Sequence, residues 1–298
     1  MDLLSATLPT PLQELSNAEI EGAGIRLYIK RDDLIHPTVS GNKWRKLKYS
    51  LLEAKATNKQ VILTFGGAYS NHLYATAAAG NALGIRTIGV VRGLDFAERE
   101  TPTLQFCREQ GMQLHFVSRE IYRLRHSEEY LADIASEFGD PFMIPEGGTT
   151  ALALKGISEM VDEVSGQLGQ MPHYFATAAG TGGTAAGILS AKADVLAFSA
   201  LKGGEFLNDD IKNLLAGETQ PGKLTLFTEY HFGGYAKWNE ELLRFMESFK
   251  NQFEIQLEQV YTAKMFFGLF DLIRKGYFAK GSVVVAVHTG GLQGLLRN

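Results

Sequence analysis

Two long stretches of this chain, Gln60 to Ile85 and Val164 to Ala191, contain no Asp, Glu, Lys or Arg. Each exceeds the roughly 20 residues that cross a bilayer, yet neither is written as a membrane helix. Gly66-Gly67, Ser70-Asn71-His72 and Gly80-Asn81 interrupt the first. Pro172, His173 and Gly180-Thr181-Gly182-Gly183-Thr184 interrupt the second. Each window reads as a strand, a small-residue loop and an Ala-rich helix, all buried on several sides, as elements around a parallel sheet are. No membrane partner is expected.

The same alternation continues through most of the sequence. Short apolar, β-branched runs mark strands at Leu27–Ile29, Val61–Phe65, Thr87–Val91, Gln113–Val117, Phe142–Ile144, Tyr174–Ala176, Val195–Ala200, Leu224–Phe227 and Val283–Val287. Helical spacing marks Trp44 to Ala56, Tyr74 to Leu83, Thr103 to Gln110, Glu120 to Phe138, Leu152 to Leu168, Thr184 to Ala191, Asn239 to Phe249 and Tyr261 to Lys275. A repeated βα order predicts an α/β protein with mainly parallel sheets and right-handed crossovers. Periodicity alone leaves a doubly wound fold and a (β/α)8 barrel both open. Glycine-rich loops after widely separated strands weigh against the barrel and suit a cleft between two open α/β lobes, which 298 residues can supply. No linker or repeat marks the boundary between them.

Hydrophobic residues make up 45% and charged residues 21%, so a disordered chain or a disulfide scaffold is not expected. The 29 Lys plus Arg against 33 Asp plus Glu are scattered, which makes nucleic acid a poor partner. Cys107 is the single cysteine, and the chain does not start with a basic-then-apolar layout; a reducing cytoplasm is the expected location.

The chemistry concentrates in loops after strands, where open α/β sheets bind ligands. Gly180-Thr181-Gly182-Gly183-Thr184 opens a helix, and glycine N–H groups, Thr hydroxyls and a helix N-terminus together make a phosphate cup. It lacks the lysine of a P-loop; Gly180, Gly182 and Ala185 match the dinucleotide fingerprint, and a tight turn without ligand is the plain alternative. Lys43, in Ser40-Gly41-Asn42-Lys43, stands at a helix start, where the dipole disfavours its ammonium and suits a Schiff-base amine. A solvated basic helix end, with Lys46 and Lys48, is its plain alternative. Ser70-Asn71-His72 offers an N-cap plus more polar groups than a cap needs, pointing to a ligand. His288-Thr289-Gly290-Gly291 allows close approach of a ligand, or a cap. The histidines show no HExxH or paired Cys/His spacing, so no metal is expected, and there is no GxSxG elbow. Cys107 reads as a core side chain.

Gly41-Asn42-Lys43, Ser70-Asn71-His72, Gly180–Thr184, Tyr261-Thr262-Ala263-Lys264 and His288–Gly291 follow one another in this order. As a set they resemble the 1-aminocyclopropane-1-carboxylate deaminase/D-cysteine desulfhydrase family of fold-type II pyridoxal 5'-phosphate enzymes, with a likeness to tryptophan synthase β in fold. The resemblance implies a large cofactor domain of residues 1–45 and 151–298, a small inserted α/β domain of residues 46–150, and a homodimer. It implies that Lys43 holds the cofactor covalently and that Gly180, Thr181, Gly182, Gly183 and Thr184 hold its phosphate. Asn71 would face the 3'-oxygen, Ser70 and His72 would receive the carboxylate of a small amino-acid substrate, Tyr235 and Tyr261 would stand near its amino group or departing atom, and Thr289 would face the pyridine nitrogen. Thr262 replaces the Glu of the deaminases, Thr289 an apolar residue and His72 a Gln, all three on the side of the desulfhydrases. Tyr69, Leu73-Tyr74-Ala75 and Trp44 depart from both patterns.

The implied activity is β-elimination and deamination of a D-cysteine-like amino acid, with cyclopropane opening as the alternative. An NAD(P)-dependent oxidoreductase on the Gly180 loop requires an acidic residue after the next strand, where Glu205 falls late. A phosphate-binding module without catalysis would not need Lys43.

Overall fold

The computed structural model describes residues 4–219 and 221–295. Its first half runs Leu12–Leu15 (β1), Ala18–Ala23 (α1), Arg26–Lys30 (β2), Asn42–Ala56 (α2), Val61–Gly67 (β3), Asn71–Leu83 (α3), Arg86–Arg92 (β4), Pro102–Glu109 (α4), Gln113–Val117 (β5), Arg119–Arg123 (α5), Glu128–Glu137 (α6) and Phe142–Ile144 (β6). The second half runs Ala151–Leu168 (α7), Tyr174–Ala179 (β7), Gly183–Ser190 (α8), Val195–Ser199 (β8), Leu207–Leu214 (α9), Leu224–Phe227 (β9), Glu240–Phe253 (α10), Thr262–Arg274 (α11) and Val283–Val287 (β10).

The strands form two open sheets, a six-stranded one in the order β1-β2-β10-β7-β8-β9 and a four-stranded one in the order β5-β4-β3-β6. Among the described residues every pairing is parallel except β1 with β2. Neither sheet closes, so the barrel is excluded and the α/β reading with two mainly parallel sheets stands. The uncharged runs follow from burial on both faces. Along β10, Val284 and Ala286 pack with Phe249, Phe266 and Phe270 of α10 and α11, while Val283, Val285 and Val287 pack with Ile157, Val161 and Ile188 of α7 and α8. In the smaller sheet Ile62 and Ile144 meet Leu47 and Leu51 of α2 and Ala75 and Ala79 of α3. Leu63, Phe65 and Val90 face Tyr122 and Ile134 on the other side. No helix of the described residues is long and apolar enough to cross a membrane.

Three elements were not expected. β1 and α1 are short, and α9 presents only Leu207 and Ile211 as buried side chains. The helix expected over Glu120 to Phe138 is instead two, α5 and α6. The chain turns at Leu124–Ser127, and Arg125 in that turn bonds the Glu146 carboxylate at 2.8 Å, so a tertiary ion pair outcompetes one further helical turn.

α2 is pinned by a buried ionic cluster. Arg45, wholly buried, makes paired bonds to Asp32 at 2.7 and 2.8 Å and to Glu163 of α7 at 3.0 and 3.0 Å. Lys30 of β2 reaches Glu163 at 2.9 Å, and the Thr10 hydroxyl donates to Asp32 at 2.8 Å. The backbones of α2 and α7 touch: a Cβ on Gly156 would lie 2.0 Å from the Arg45 carbonyl oxygen.

Candidate active site

The first turn of α2 is placed by a glycine. Gly41 takes φ 63°, and a Cβ there would fall 1.9 Å from the Thr289 carbonyl oxygen, so only glycine allows the start of α2 to dock on the loop after β10. This brings the Lys43 amine to 3.2 Å from the Gly147 carbonyl oxygen. Burial lowers the Lys43 pKa to about 8, with the Glu146 carboxylate acting in the opposite direction.

One turn further on, Lys46 is 1% exposed. Its ammonium donates to the Gly147 carbonyl at 2.9 Å and to Thr149 Oγ1 at 2.9 Å, and it has no carboxylate partner among the described residues. Burial, then the neighbouring Lys43, pushes its pKa well below the usual value. The solvated-end alternative for Lys46 is thereby overturned. Thr149 Oγ1 lies 2.7 Å from Thr181 Oγ1, and Asn42 Nδ2 donates to Thr184 Oγ1 at 2.8 Å. Gly182 is left-handed at φ 72° and no side chain among the described residues caps α8, so its first N–H groups face this hollow. A Cβ on Gly183 would lie 2.7 Å from both Lys46 Nζ and Thr149 Oγ1. A buried amine with no carboxylate beside it among the described residues, hydroxyls and an uncapped helix N-terminus thus converge on one point. Gly147, Gly148 and Thr149, between β6 and α7, belong to this hollow and were not singled out from sequence.

Of the remaining positions, His72 lies against Gly148 and Tyr261 against Gly180. Ser70 caps α3, its Oγ accepting from the backbone N–H of His72 and of Leu73 at 3.2 Å each. Asn71 Oδ1 accepts from Gln293 Nε2 at 2.7 Å, a partner that sequence reading missed. Thr64 Oγ1 donates to the Ile144 carbonyl at 2.7 Å and so accepts from His72 Nε2 at 2.7 Å. The His72 ring is therefore protonated on Nε2, with Nδ1 a buried acceptor lacking a partner among the described residues. Burial and the two lysines hold its pKa well below the usual histidine range, so it is neutral. The Tyr261 ring lies against the phosphate-cup loop, 3.0 Å from where a Cβ on Gly180 would be, and its centroid is 6.1 Å from that of Tyr235. Burial, Tyr235 and Glu258 raise the Tyr261 pKa well above 10, so the phenol keeps its proton. Glu258 caps α11 by accepting from the N–H groups of Val260, Tyr261 and Thr262 at 2.6–2.7 Å. The Thr262 hydroxyl is tied to the Glu258 backbone, accepting its N–H at 2.9 Å. Thr289 is half-buried beside Gly41, its hydroxyl making no hydrogen bond among the described residues; the cap alternative does not describe it, since Gly291 starts the 3-10 turn that follows. Cys107 is buried, with its thiol pushed up to about 12, and packs in the core of the smaller sheet.

The chain belongs to the pyridoxal-phosphate dependent enzymes, whose family model matches residues 3–290. It is 32% identical to a protein of Pyrococcus horikoshii provisionally named a 1-aminocyclopropane-1-carboxylate deaminase, over 96% of this chain and 90% of that one. It is also 32% identical to the bifunctional D-cysteine desulfhydrase/1-aminocyclopropane-1-carboxylate deaminase of Arabidopsis thaliana, over 97% of this chain and 78% of that one. The crystal structure of a 1-aminocyclopropane-1-carboxylate deaminase homologue superposes with a TM-score of 0.84 at 28% identity, covering 98% of this chain and 92% of the other. The cofactor is thus pyridoxal 5'-phosphate, the protein is an enzyme, and the dinucleotide alternative falls away.

The residues present fit that cofactor. Lys46, the Thr149, Thr181 and Thr184 hydroxyls and the α8 N-terminus suit a phosphate dianion, and the Lys43 amine is available to its aldehyde. The neutral amine is the nucleophile. Capture of pyridoxal phosphate by cofactor-free protein should therefore accelerate with rising pH and level off above about 8, measured by absorbance in a stopped-flow series. A rate still climbing toward the ordinary lysine pKa of about 10.4 would contradict the lowered value.

Proposed function

We propose that this chain catalyses β-elimination and deamination of a small amino acid, D-cysteine being the first to test. The products are a 2-oxo acid, ammonia and sulfide, with water supplying the carbonyl oxygen. When bound, pyridoxal phosphate supplies an electron sink conjugated to the substrate Cα. Lys43 removes the Cα proton as general base, its lowered pKa matching it to near-neutral pH. Ser70, Asn71 and His72 at the start of α3 receive and orient the substrate carboxylate, and Asn71 also faces the cofactor. Tyr261, with Tyr235 beside it, keeps its proton and hydrogen-bonds the departing sulfur, which leaves as thiolate. Gly180, Thr181, Gly182, Gly183 and Thr184 would hold the phosphate together with Lys46, and Thr289 would stand by the ring nitrogen.

The observation that carries the choice of substrate is the surroundings of Tyr261. Thr262 brings no carboxylate next to the phenol, and its hydroxyl is spent on the Glu258 backbone. Glu258 itself is occupied by three backbone N–H groups. A hydrogen-bond donor for a good leaving group is at hand, while the extra acid–base group of the deaminase pattern is not. Cyclopropane opening is the second reading, supported by the names of the relatives. Specificity constants for D-cysteine and 1-aminocyclopropane-1-carboxylate on one preparation should favour D-cysteine; preferential release of 2-oxobutanoate would reverse the assignment. The reading extends to a large domain of residues 1–45 and 151–298, a small domain of residues 46–150, a homodimer and a cytoplasmic location. Segregation of β3–β6 into their own sheet supports the division into domains.

A further inference from the structure

Lys264, on the first turn of α11, is 1% exposed and has no carboxylate partner among the described residues. Its ammonium is surrounded by main-chain carbonyl oxygens instead, at 2.7 Å from Gly234, 2.8 Å from His231 and 3.4 Å from Ala200. Two of these belong to the loop of residues 228–239 between β9 and α10. That loop has an unusual backbone: Phe232, Gly233, Gly234 and Ala236 all have positive φ, between 51° and 113°. Non-glycine residues enter this region at a cost, so something must hold the turn. Its carbonyls are already used once within the loop, His231 O by the Gly234 N–H at 3.0 Å and Gly234 O by the Lys237 N–H at 3.1 Å. Their negative ends still converge, and a positive charge at the centre turns that repulsion into attraction.

Tyr235 directly follows Gly234 and meets Tyr261, three residues before Lys264 on the same helix start. We propose that the Lys264 ammonium is a tethered monovalent cation in a three-carbonyl site, and that it is the positioning residue for Tyr235. The chemistry is that by which rings of carbonyl oxygens replace the hydration shell of a bare cation, with the ion here supplied by a side chain. Lys264→Ala would then leave a vacant cage suited to ammonium or potassium. The importance of the loop for turnover rests on the proposed role of Tyr235; the clamp itself does not.

The test compares holoenzyme of the wild type, Lys264→Ala and Lys264→Met in ammonium, potassium and choline chlorides at equal ionic strength. It reads amide hydrogen exchange over residues 231–236 and kcat/KM for the amino acid. In choline, which is too bulky for the cage, Lys264→Ala should exchange these amides about tenfold faster or more and lose activity in parallel. Ammonium or potassium should restore both. Lys264→Met, whose side chain fills the space without charge, should stay fast in every salt, and the wild type should not respond. A loop as protected as wild type in choline overturns the clamp, as does fast exchange in Lys264→Ala that no small cation slows. If Lys264→Ala does not accumulate folded, a protected loop in Lys264→Met overturns it equally, because the Phe232 ring contact with Phe267, at 4.9 Å, would then suffice. Restored protection without restored activity would leave the clamp standing and remove Tyr235 from the proposed chemistry.

Discussion

Lys43→Ala should lower turnover of the amino acid by about 100- to 10,000-fold, the usual worth of a positioned general base, with little change in stability. The physical ground is that Lys43 is half-buried and makes one weak tertiary hydrogen bond, 3.2 Å to Gly147 O, while the start of α2 is held by Gly41 and Arg45. Lys46 cannot take its place: its ammonium is bound by Gly147 O and Thr149 Oγ1 at the phosphate hollow. Release of ammonia and 2-oxo acid, followed beside a thermal melt, separates the two effects. A variant that keeps a tenth or more of wild-type turnover would remove Lys43 from the role of base.

Arg45→Met should lower the unfolding free energy by about 3–5 kcal/mol, the range for removing one partner from a buried ionic cluster. Methionine fills much of the volume but, among the described residues, leaves Asp32 with only the Thr10 hydroxyl and Glu163 with Lys30. The cost comes from the stranded Asp32 carboxylate, 0% exposed, rather than from a lost contact. The urea midpoint reads it, and a loss below about 1 kcal/mol, the size of an exposed pair, would show that the cluster is solvated. Since Arg45 lies two residues from Lys43, the variant should also reconstitute poorly with cofactor.

Much of the architecture was legible because burial on both faces writes itself into sequence. β5, β6, β9 and β10 fall on the bounds read from their apolar runs. β1, four residues pairing at an edge, and α9, with two buried side chains, carry too little periodicity to be seen. The break between α5 and α6 was hidden because apolar spacing continues through Ile121, Tyr122, Leu131 and Ile134, while the turn is decided by Glu146, remote in sequence. At the site, Gly180–Thr184 could be read as a cup because glycines and hydroxyls between a strand and a helix have few other uses. Lys46 could not, since a lysine one turn into a basic helix looks solvated until the loop after β6 is folded over it. Gly147-Gly148-Thr149 repeats the Gly182-Gly183-Thr184 pattern after another strand, and that repetition was the available signal. Lys264 stood in the Tyr261-Thr262-Ala263-Lys264 stretch, but its role was hidden because its partners are backbone carbonyls, which sequence does not distinguish.

The covalent position of the cofactor tests the account most directly. Borohydride reduction of the cofactor-loaded protein, followed by digestion and mass-spectrometric peptide mapping, should place a pyridoxyl group on Lys43. A label confined to Lys46, Lys48 or Lys264 would contradict the assignment of the reactive amine, and a loaded protein without any reducible linkage would contradict the chemistry built on it.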